Sequence, residues 1–267
     1  MSKEKYQTNP IPPGRRFALD AGRLGRRKHI VHGLAEVDVT VAREYIRDHE
    51  QRSGEKLSFT AFIINCLAQA IDRHRDLHAY KNWRGQLVIF EDVNIVTMIE
   101  TLRNGKRIPM PYLLKAVNRK SYHQVHNDIR AAQSSPAKTR ESSYMRWFLV
   151  LPWFLRRILY WVVLRVPHLF RDYSSSVMVT AVGMFSRGAS WGITMPSFTL
   201  TVALGGISQK PGVIDGTIEI REFLHITVSV DHDIVDGAPI ARFGNDLMDL
   251  IERGYGLIVE DQSIAQE

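Results

Sequence analysis

The stretch VSVDHDIVDGAPIARF, residues 228–243, ends an alternating apolar run on a histidine, with Asp236 and Gly237 following four and five residues later. Histidine titrates nearest neutrality of the side chains, so His232 is the residue best suited to take a proton from a thiol or hydroxyl. That work needs a ring held in one orientation and shielded from water. The end of a core strand feeding a helix supplies rigid placement. Asp236 is spaced to hold the turn, through hydrogen bonds or an arginine pair, whereas direct contact with His232 does not follow from the spacing. Gly237 suits a close backbone approach or a positive φ. The same residues also read as a plain polar turn, because His-x-x-x-Asp arises often by chance. Of the ten histidines, the pairs His29/His32 and His123/His126 are spaced i, i+3. No nearby carboxylate or cysteine completes a metal set around them, and no metal is expected.

The elements that must position these residues follow from periodicity. VHGLAEVDVT (31–40) alternates as a strand, and Thr40 is placed to open a helix running to about Gly54. Ser58 opens a second helix in which Phe59, Phe62, Ile63, Cys66, Leu67, Ala70 and Ile71 keep the helical period, as a buried central helix does. QLVIFED, VNIVTMIE and RIPMPYLLKAV are extended, and Ser121 to about Gln133 is helical. The second half is mostly strand: 175–185, 197–207, 217–220 and 223–231, with Asp215-Gly216 as a turn. A last helix carries Ile240, Phe243, Leu247, Met248, Leu250 and Ile251 on one stripe, with Pro239 in its first turn. Strands and helices mix without strict alternation, so the fold class is α+β with a largely mixed or antiparallel sheet.

The chain has 267 residues, 45% hydrophobic and 24% charged, with a formal charge of +7. Anionic partners fit that charge: nucleic acid, an anionic membrane, or a phosphorylated cofactor. Nucleic acid is disfavoured, because only a single aromatic, Phe17, interleaves with the cluster Arg15, Arg16, Arg23, Arg26, Arg27 and Lys28. The single cysteine, Cys66, lies in an apolar run and reads as core. MSKEKYQTNPIPPG lacks the apolar run of a secretory signal, which makes a cytoplasmic protein the default expectation. The organisation read here is a basic arm at 1–28, one domain at 29–258, and a polar tail at 259–267. An aromatic, hydrophobic insertion interrupts the domain at 136–174. Within the insertion, 144–170 is rich in Trp and Leu but broken by Arg156, Arg157 and Arg165, and its uncharged runs are too short to span a membrane. Three readings stay open for it: buried helices at the sheet or at a subunit contact, the lining of an acyl-binding cavity, or a pair of helices lying on an anionic membrane.

VSVDHDIVDGAPIARF resembles the C-terminal signature of the catalytic domain of dihydrolipoyl acyltransferases, the core subunits of 2-oxo acid dehydrogenase complexes. That signature typically reads Asp-His-Arg-x-x-Asp-Gly-Ala followed by Ala-Arg-Phe, and chloramphenicol acetyltransferase shares its core and fold. EVDVT (36–40), GEKLSFTAFIINCLAQAI (54–71), EDVNIVTMIE (91–100), NRKSYHQV (118–125), VMVTAVGMF (177–185) and TLTVALGGI (199–207) resemble further family blocks in the same order. The resemblance implies a chloramphenicol acetyltransferase-like fold with helices packed on one side of the sheet. It also implies a homotrimer with active sites at subunit interfaces and an acyl-coenzyme A substrate. His232 would be the general base, Thr180 the oxyanion donor from the neighbouring subunit in place of the family's serine, and Asp236 the carboxylate that supports the turn. No Lys or Arg is assigned to the coenzyme A phosphates.

Four departures qualify what carries over. Asp233 stands where the family has arginine and, if close to His232, would raise its pKa. Ala181 replaces an asparagine. No lipoyl-bearing lysine domain or subunit-binding module is read in this chain, so a lipoyl group would have to be served in trans. The segment 136–174 is longer and more apolar than the family's connection. A tail without a strongly apolar terminus favours a free trimer over a cage. The main expectation is a stand-alone coenzyme A-dependent acyltransferase acting on a thiol or hydroxyl acceptor. The alternative is a non-catalytic trimeric scaffold that uses 144–170 to hold a membrane or partner.

Overall fold

The computed structural model describes residues 8, 15, 19–20, 22–23, 25–103, 106–134, 151–181, 183, 188–195 and 197–258. Most of the expected arm at 1–28, the first part of the insertion at 136–150, including Trp147, and the tail at 259–267 lie outside the described residues. The strands are β1 (Ile30–Asp38), β2 (Tyr80–Lys81), β3 (Leu87–Val88), β4 (Ile95–Arg103), β5 (Lys106–Leu114), β6 (Val177–Ala181), β7 (Leu200–Ile214) and β8 (Thr217–Asp231). The α-helices described over their full length are α1 (Thr40–Ser53), α2 (Phe59–Arg73), α3 (Tyr122–Ser134), α4 (Trp153–Arg165), α5 (Pro167–Tyr173) and α6 (Gly237–Glu252).

Six strands form one mixed sheet in the order β1-β8-β7-β6-β4-β5, and β2 and β3 pair separately. β6 runs parallel to both of its neighbours, while the other pairings are antiparallel. This is the α+β mixed sheet read from the sequence. β5 carries Pro109 and Pro111, which cannot donate to a second neighbour, and accordingly it lies at the edge. One face of the sheet presents Val177, Val179, Leu200, Val202, Leu204, Leu224, Ile226, Val228 and Val230 to a core shared with α2, α3 and α6. Ser58 caps α2 by accepting from the Ala61 amide at 3.2 Å, and Cys66 is fully buried within that helix. Thr40 is not the cap of α1. Its amide donates to Asp38 Oδ1 at 2.8 Å and its hydroxyl to the same oxygen at 2.6 Å, so the preceding aspartate holds that first turn.

β7 and β8 are longer than the pattern suggests, 15 residues each. Asp215 at φ 49° and Gly216 at φ 81° make the two-residue turn between them. Pro211 is tolerated inside β7 because β6 ends at Ala181, opposite Leu204. From Ile207 onward the strand that β7 pairs with among the described residues is β8, and a missing amide on its other side costs little. Gly205 and Gly206 interrupt the register of β7 against β8. A Cβ on Gly205 would stand 1.9 Å from the Ser190 carbonyl oxygen, and one on Gly206 would stand 1.8 Å from that of Gly188. Glycine there lets the 188–190 backbone lie directly on the sheet.

Candidate active site

β8 is bonded on both sides along its last residues and therefore delivers His232 from a rigid rail. Asp231 pairs with Ile30 of β1, and its amide donates to the Thr199 carbonyl at 2.8 Å. The His232 amide donates to the His29 carbonyl at 2.8 Å. The turn that follows is organised by Asp231. Its carbonyl accepts from the amides of Ile234 at 3.0 Å and Val235 at 3.2 Å. Its buried carboxylate accepts from the Asp233 amide at 3.3 Å and from Lys28 Nζ at 2.8 Å. Val235 is buried in the core and anchors the far end of the turn. Asp236 occupies the N-cap of α6 in an extended conformation, and its carbonyl accepts the Ile240 amide at 3.4 Å.

The imidazole of His232 is exposed and, among the described residues, has no hydrogen-bond or ion-pair partner. The shielding that a general base needs is thus not provided by the described part of one chain. Asp236 is also exposed, and its side chain makes no capping bond. Asp231 and Lys28 instead hold the turn. Gly237 meets neither expected condition: its φ is not positive, and nothing lies within 4 Å of where a Cβ would stand. The glycine therefore has open space on that side of the turn.

Asp233 has a hydrogen-bond partner directly before the start of β1. Its carboxylate accepts from His29 Nδ1 at 2.9 Å, and that hydrogen bond, with the charge behind it, raises the His29 pKa. Asp231 carries no signal of its own in the sequence, Lys28 reads there only as part of a basic cluster, and His29 only as half of an i, i+3 pair. The available signal was the position of Lys28 and His29 directly before β1, which must lie beside the end of β8 if those strands pair.

Thr180 sits far from this turn within one chain. It lies opposite Ala203 in β7, which lies opposite Thr227 in β8, so all three share a row across the sheet. From Thr227, Asp231 is four residues further along β8. At about 3.3 Å per residue and about 4.8 Å per strand, Thr180 is roughly 16 Å from the start of the turn. Thr180 is half-buried on the sheet face opposite the core, a face that also carries Thr201, Thr227, Ser229 and His225. His225 is fully buried there and satisfied: Nδ1 donates to the Gly206 carbonyl at 2.9 Å, and Nε2 lies 3.1 Å from Glu36. Trp191 meets its ring edge-on at 4.4 Å. Lys210 bonds Glu36 at 2.5 Å and holds that carboxyl below its usual range. Among the described residues no group of three or more His, Cys, Asp or Glu is placed to hold a metal ion.

Residues 172–259 match the sequence model of a family described as 2-oxoacid dehydrogenases acyltransferase (catalytic domain). The chain is 24% identical over 240 residues to the dihydrolipoyllysine-residue acetyltransferase component of pyruvate dehydrogenase complex from Mycoplasma pneumoniae, covering 88% of this chain and 48% of that protein. It spans about half the length of the curated relatives it matches. Its fold is similar to a probable dihydrolipoamide acetyltransferase from Listeria monocytogenes, with TM-score 0.70, 18% identity, and 93% and 95% of the two chains covered. It is likewise similar to the Azotobacter vinelandii dihydrolipoamide acetyltransferase, with TM-score 0.68, 17% identity, and 94% of each chain covered. In that enzyme the roles of a serine, a histidine and an asparagine in the catalytic mechanism were investigated. A chloramphenicol acetyltransferase aligns with TM-score 0.50 at 11% identity, over 91% and 96% of the two chains. The acyltransferase-like fold and the family resemblance read from the sequence are both borne out.

Proposed function

We propose that this chain is an acyltransferase that moves an acyl group between a coenzyme A thioester and a thiol or hydroxyl acceptor, with the active site shared between subunits of a trimer. The acceptor is a dihydrolipoyl group carried by another protein or a small molecule. His232 takes the acceptor's proton, and the freed thiolate or alkoxide attacks the thioester carbonyl. The resulting oxyanion accepts a hydrogen bond from the Thr180 hydroxyl of the adjacent subunit. Collapse expels coenzyme A thiolate, which recovers the proton from His232. Asp231 and Lys28 hold the turn, and Asp236 starts the helix behind it.

The observation that carries this reading is the separation of the two expected partners. A base and an oxyanion donor must each come within about 3 Å of the reacting atoms. Thr180 lies roughly 16 Å from Asp231, where the His232 turn starts, too far for both side chains to reach one carbonyl within one chain, so a shared site would take them from different chains. Two further observations support it. In the Azotobacter vinelandii enzyme the serine-to-histidine and histidine-to-asparagine separations equal those from Thr180 to His232 and from His232 to Asp236. The far end of the β7–β8 hairpin also exposes Pro211, Val213, Ile218 and Ile220 on one face, an apolar surface suited to another subunit.

The test is acetyl-coenzyme A turnover with dihydrolipoamide and a panel of thiols and alcohols, together with the oligomeric mass. His232→Ala is expected to lose about a hundredfold to ten-thousandfold in kcat, and Thr180→Val about a hundredfold or more. Mixing the two inactive variants under subunit-exchange conditions restores turnover, because some interfaces then combine an intact His232 with an intact Thr180. No turnover by the unmodified chain would favour the scaffold reading. A monomer, or no recovery on mixing, would sink the shared site.

A further inference from the structure

Helix α4 is built inside out. Arg156 is its buried member, at 7% exposure, with Nε donating to Asp20 Oδ2 at 3.1 Å and Nη1 to the Leu151 carbonyl at 3.3 Å. Tyr160, one turn on, lies on the same inner side, and burial pushes its hydroxyl pKa up. The outer side is apolar: Trp153 is 61% exposed, Phe154 48%, Ile158 57% and Trp161 57%. At 100° per residue, Phe154, Ile158, Trp161 and Arg165 fall within an arc of about 60°. Two arginines lie against this surface, Arg157 at 6.0 Å from the Trp153 ring centre and Arg165 at 5.4 Å from that of Trp161. An apolar face of this extent calls for a covering partner.

Charge selects that partner. Between Glu141 and Asp172 the chain carries Arg146, Arg156, Arg157, Arg165 and Arg171 and no acidic residue. Through Asp20, which also lies 3.9 Å from Arg23, the helix is tied to the basic N-terminal stretch. A symmetric contact between two copies would set these arginines against one another with no carboxylate in the segment to answer them. An anionic surface with an apolar interior answers both features at once. Thirteen residues reach about 20 Å, less than the ~30 Å of a bilayer core. No helix among the described residues is long and apolar enough to cross a membrane. We propose that α4 lies in the interfacial plane of an anionic lipid bilayer, with Phe154, Ile158 and Trp161 among the acyl chains and Arg157 and Arg165 at the phosphates. This peripheral docking does not depend on the acyltransferase reading.

The test is flotation of the full chain with vesicles of pure phosphatidylcholine and of phosphatidylcholine with phosphatidylglycerol at about two to one. The protein is expected to float with the anionic vesicles at low salt, to release as salt rises, and to ignore neutral ones. Phe154→Ser/Ile158→Ser/Trp161→Ser should lose binding about tenfold or more, with circular dichroism, oligomeric mass and any acetyl-coenzyme A turnover unchanged. Arg157→Gln/Arg165→Gln should weaken binding several-fold and flatten its salt dependence. Brominated phosphatidylglycerol should quench tryptophan emission of the unmodified chain, a readout that does not depend on how the variants fold. Absence of flotation with anionic vesicles, equal flotation of the triple variant, or unquenched emission would overturn the proposal. So would a drop in oligomeric mass in the triple variant, which would make this face a contact between chains.

Discussion

Helix α6 buries Phe243, Leu247, Leu250 and Ile251 and leaves its polar residues outside, whereas α4 buries an arginine and exposes its tryptophans. Both segments are rich in large apolar residues at helical spacing. The difference lies in what each helix finds beneath it. α6 follows directly from β8 through a turn fixed by Asp231, so its apolar stripe meets the open core face of the sheet. Beneath α4 lies Asp20, whose buried carboxylate requires a cation and sets the helix's rotation about its axis. Periodicity locates a stripe, and the receiving surface decides which way it faces. The end of the insertion behaves like α6 again: Phe170 of α5 is buried, and its ring stacks 3.9 Å from that of Tyr80.

Truncation should separate these regions most sharply at α6. Phe243 is fully buried and meets the His74 ring edge-on at 6.2 Å. Phe243→Ala is therefore expected to cost about 3–5 kcal/mol, read as a lower urea midpoint at an unchanged slope. A cost below about 1 kcal/mol would mean that α6 is not anchored as described.

The parts of the fold legible in the sequence are those with a local cause. Six of the seven α2 positions read at helical spacing are buried, Phe59 being half-buried, and the Asp215-Gly216 turn is written in two adjacent residues. The length of β7 was not legible, because Pro211 is harmless only where β6 has already ended, a fact of strand order. At the candidate site, His232 stands out through its motif. Lys28 and Asp231 are 203 positions apart, and their bond follows only from the pairing of β1 with β8. Asp233 illustrates the converse: its neighbour in sequence is His232, whereas the partner its carboxylate bonds, His29, is 204 positions away. The rotation of α4 depended on a single buried partner, Asp20, inside a stretch that reads as a basic arm.

The root of the insertion offers a pH test of intermediate size. His78 is buried beside Phe170, and its carbonyl accepts from the Ser176 hydroxyl. Burial, aided by the charge of Arg75, lowers the His78 pKa from 6.5 to about 4. The folded state therefore resists a proton that the unfolded chain accepts. Above pH 6.5 neither form is protonated and nothing is lost, whereas stability falls between pH 6.5 and about 4, to a ceiling of about 3 kcal/mol. His78→Gln should flatten that interval in urea melts taken across pH. An unchanged slope would mean that the insertion's root admits water and is no more core-like than α4.

The smallest expected effect sharpens the comparison from the other side. Trp161 and Ile158 are as large as many core residues, yet each is more than half exposed in the folded chain. Unfolding adds comparatively little to the apolar surface they already show to water, so the folded state gains little from their size. Trp161→Ser and Ile158→Ser, made singly, should each change the urea midpoint by no more than about 0.5 kcal/mol, roughly a tenth of the Phe243→Ala upper value. If either costs more than about 1 kcal/mol in lipid-free buffer, the outer face of α4 must already be covered in solution. A smaller oligomeric mass for that variant than for the unmodified chain would then assign that cover to another copy of the chain.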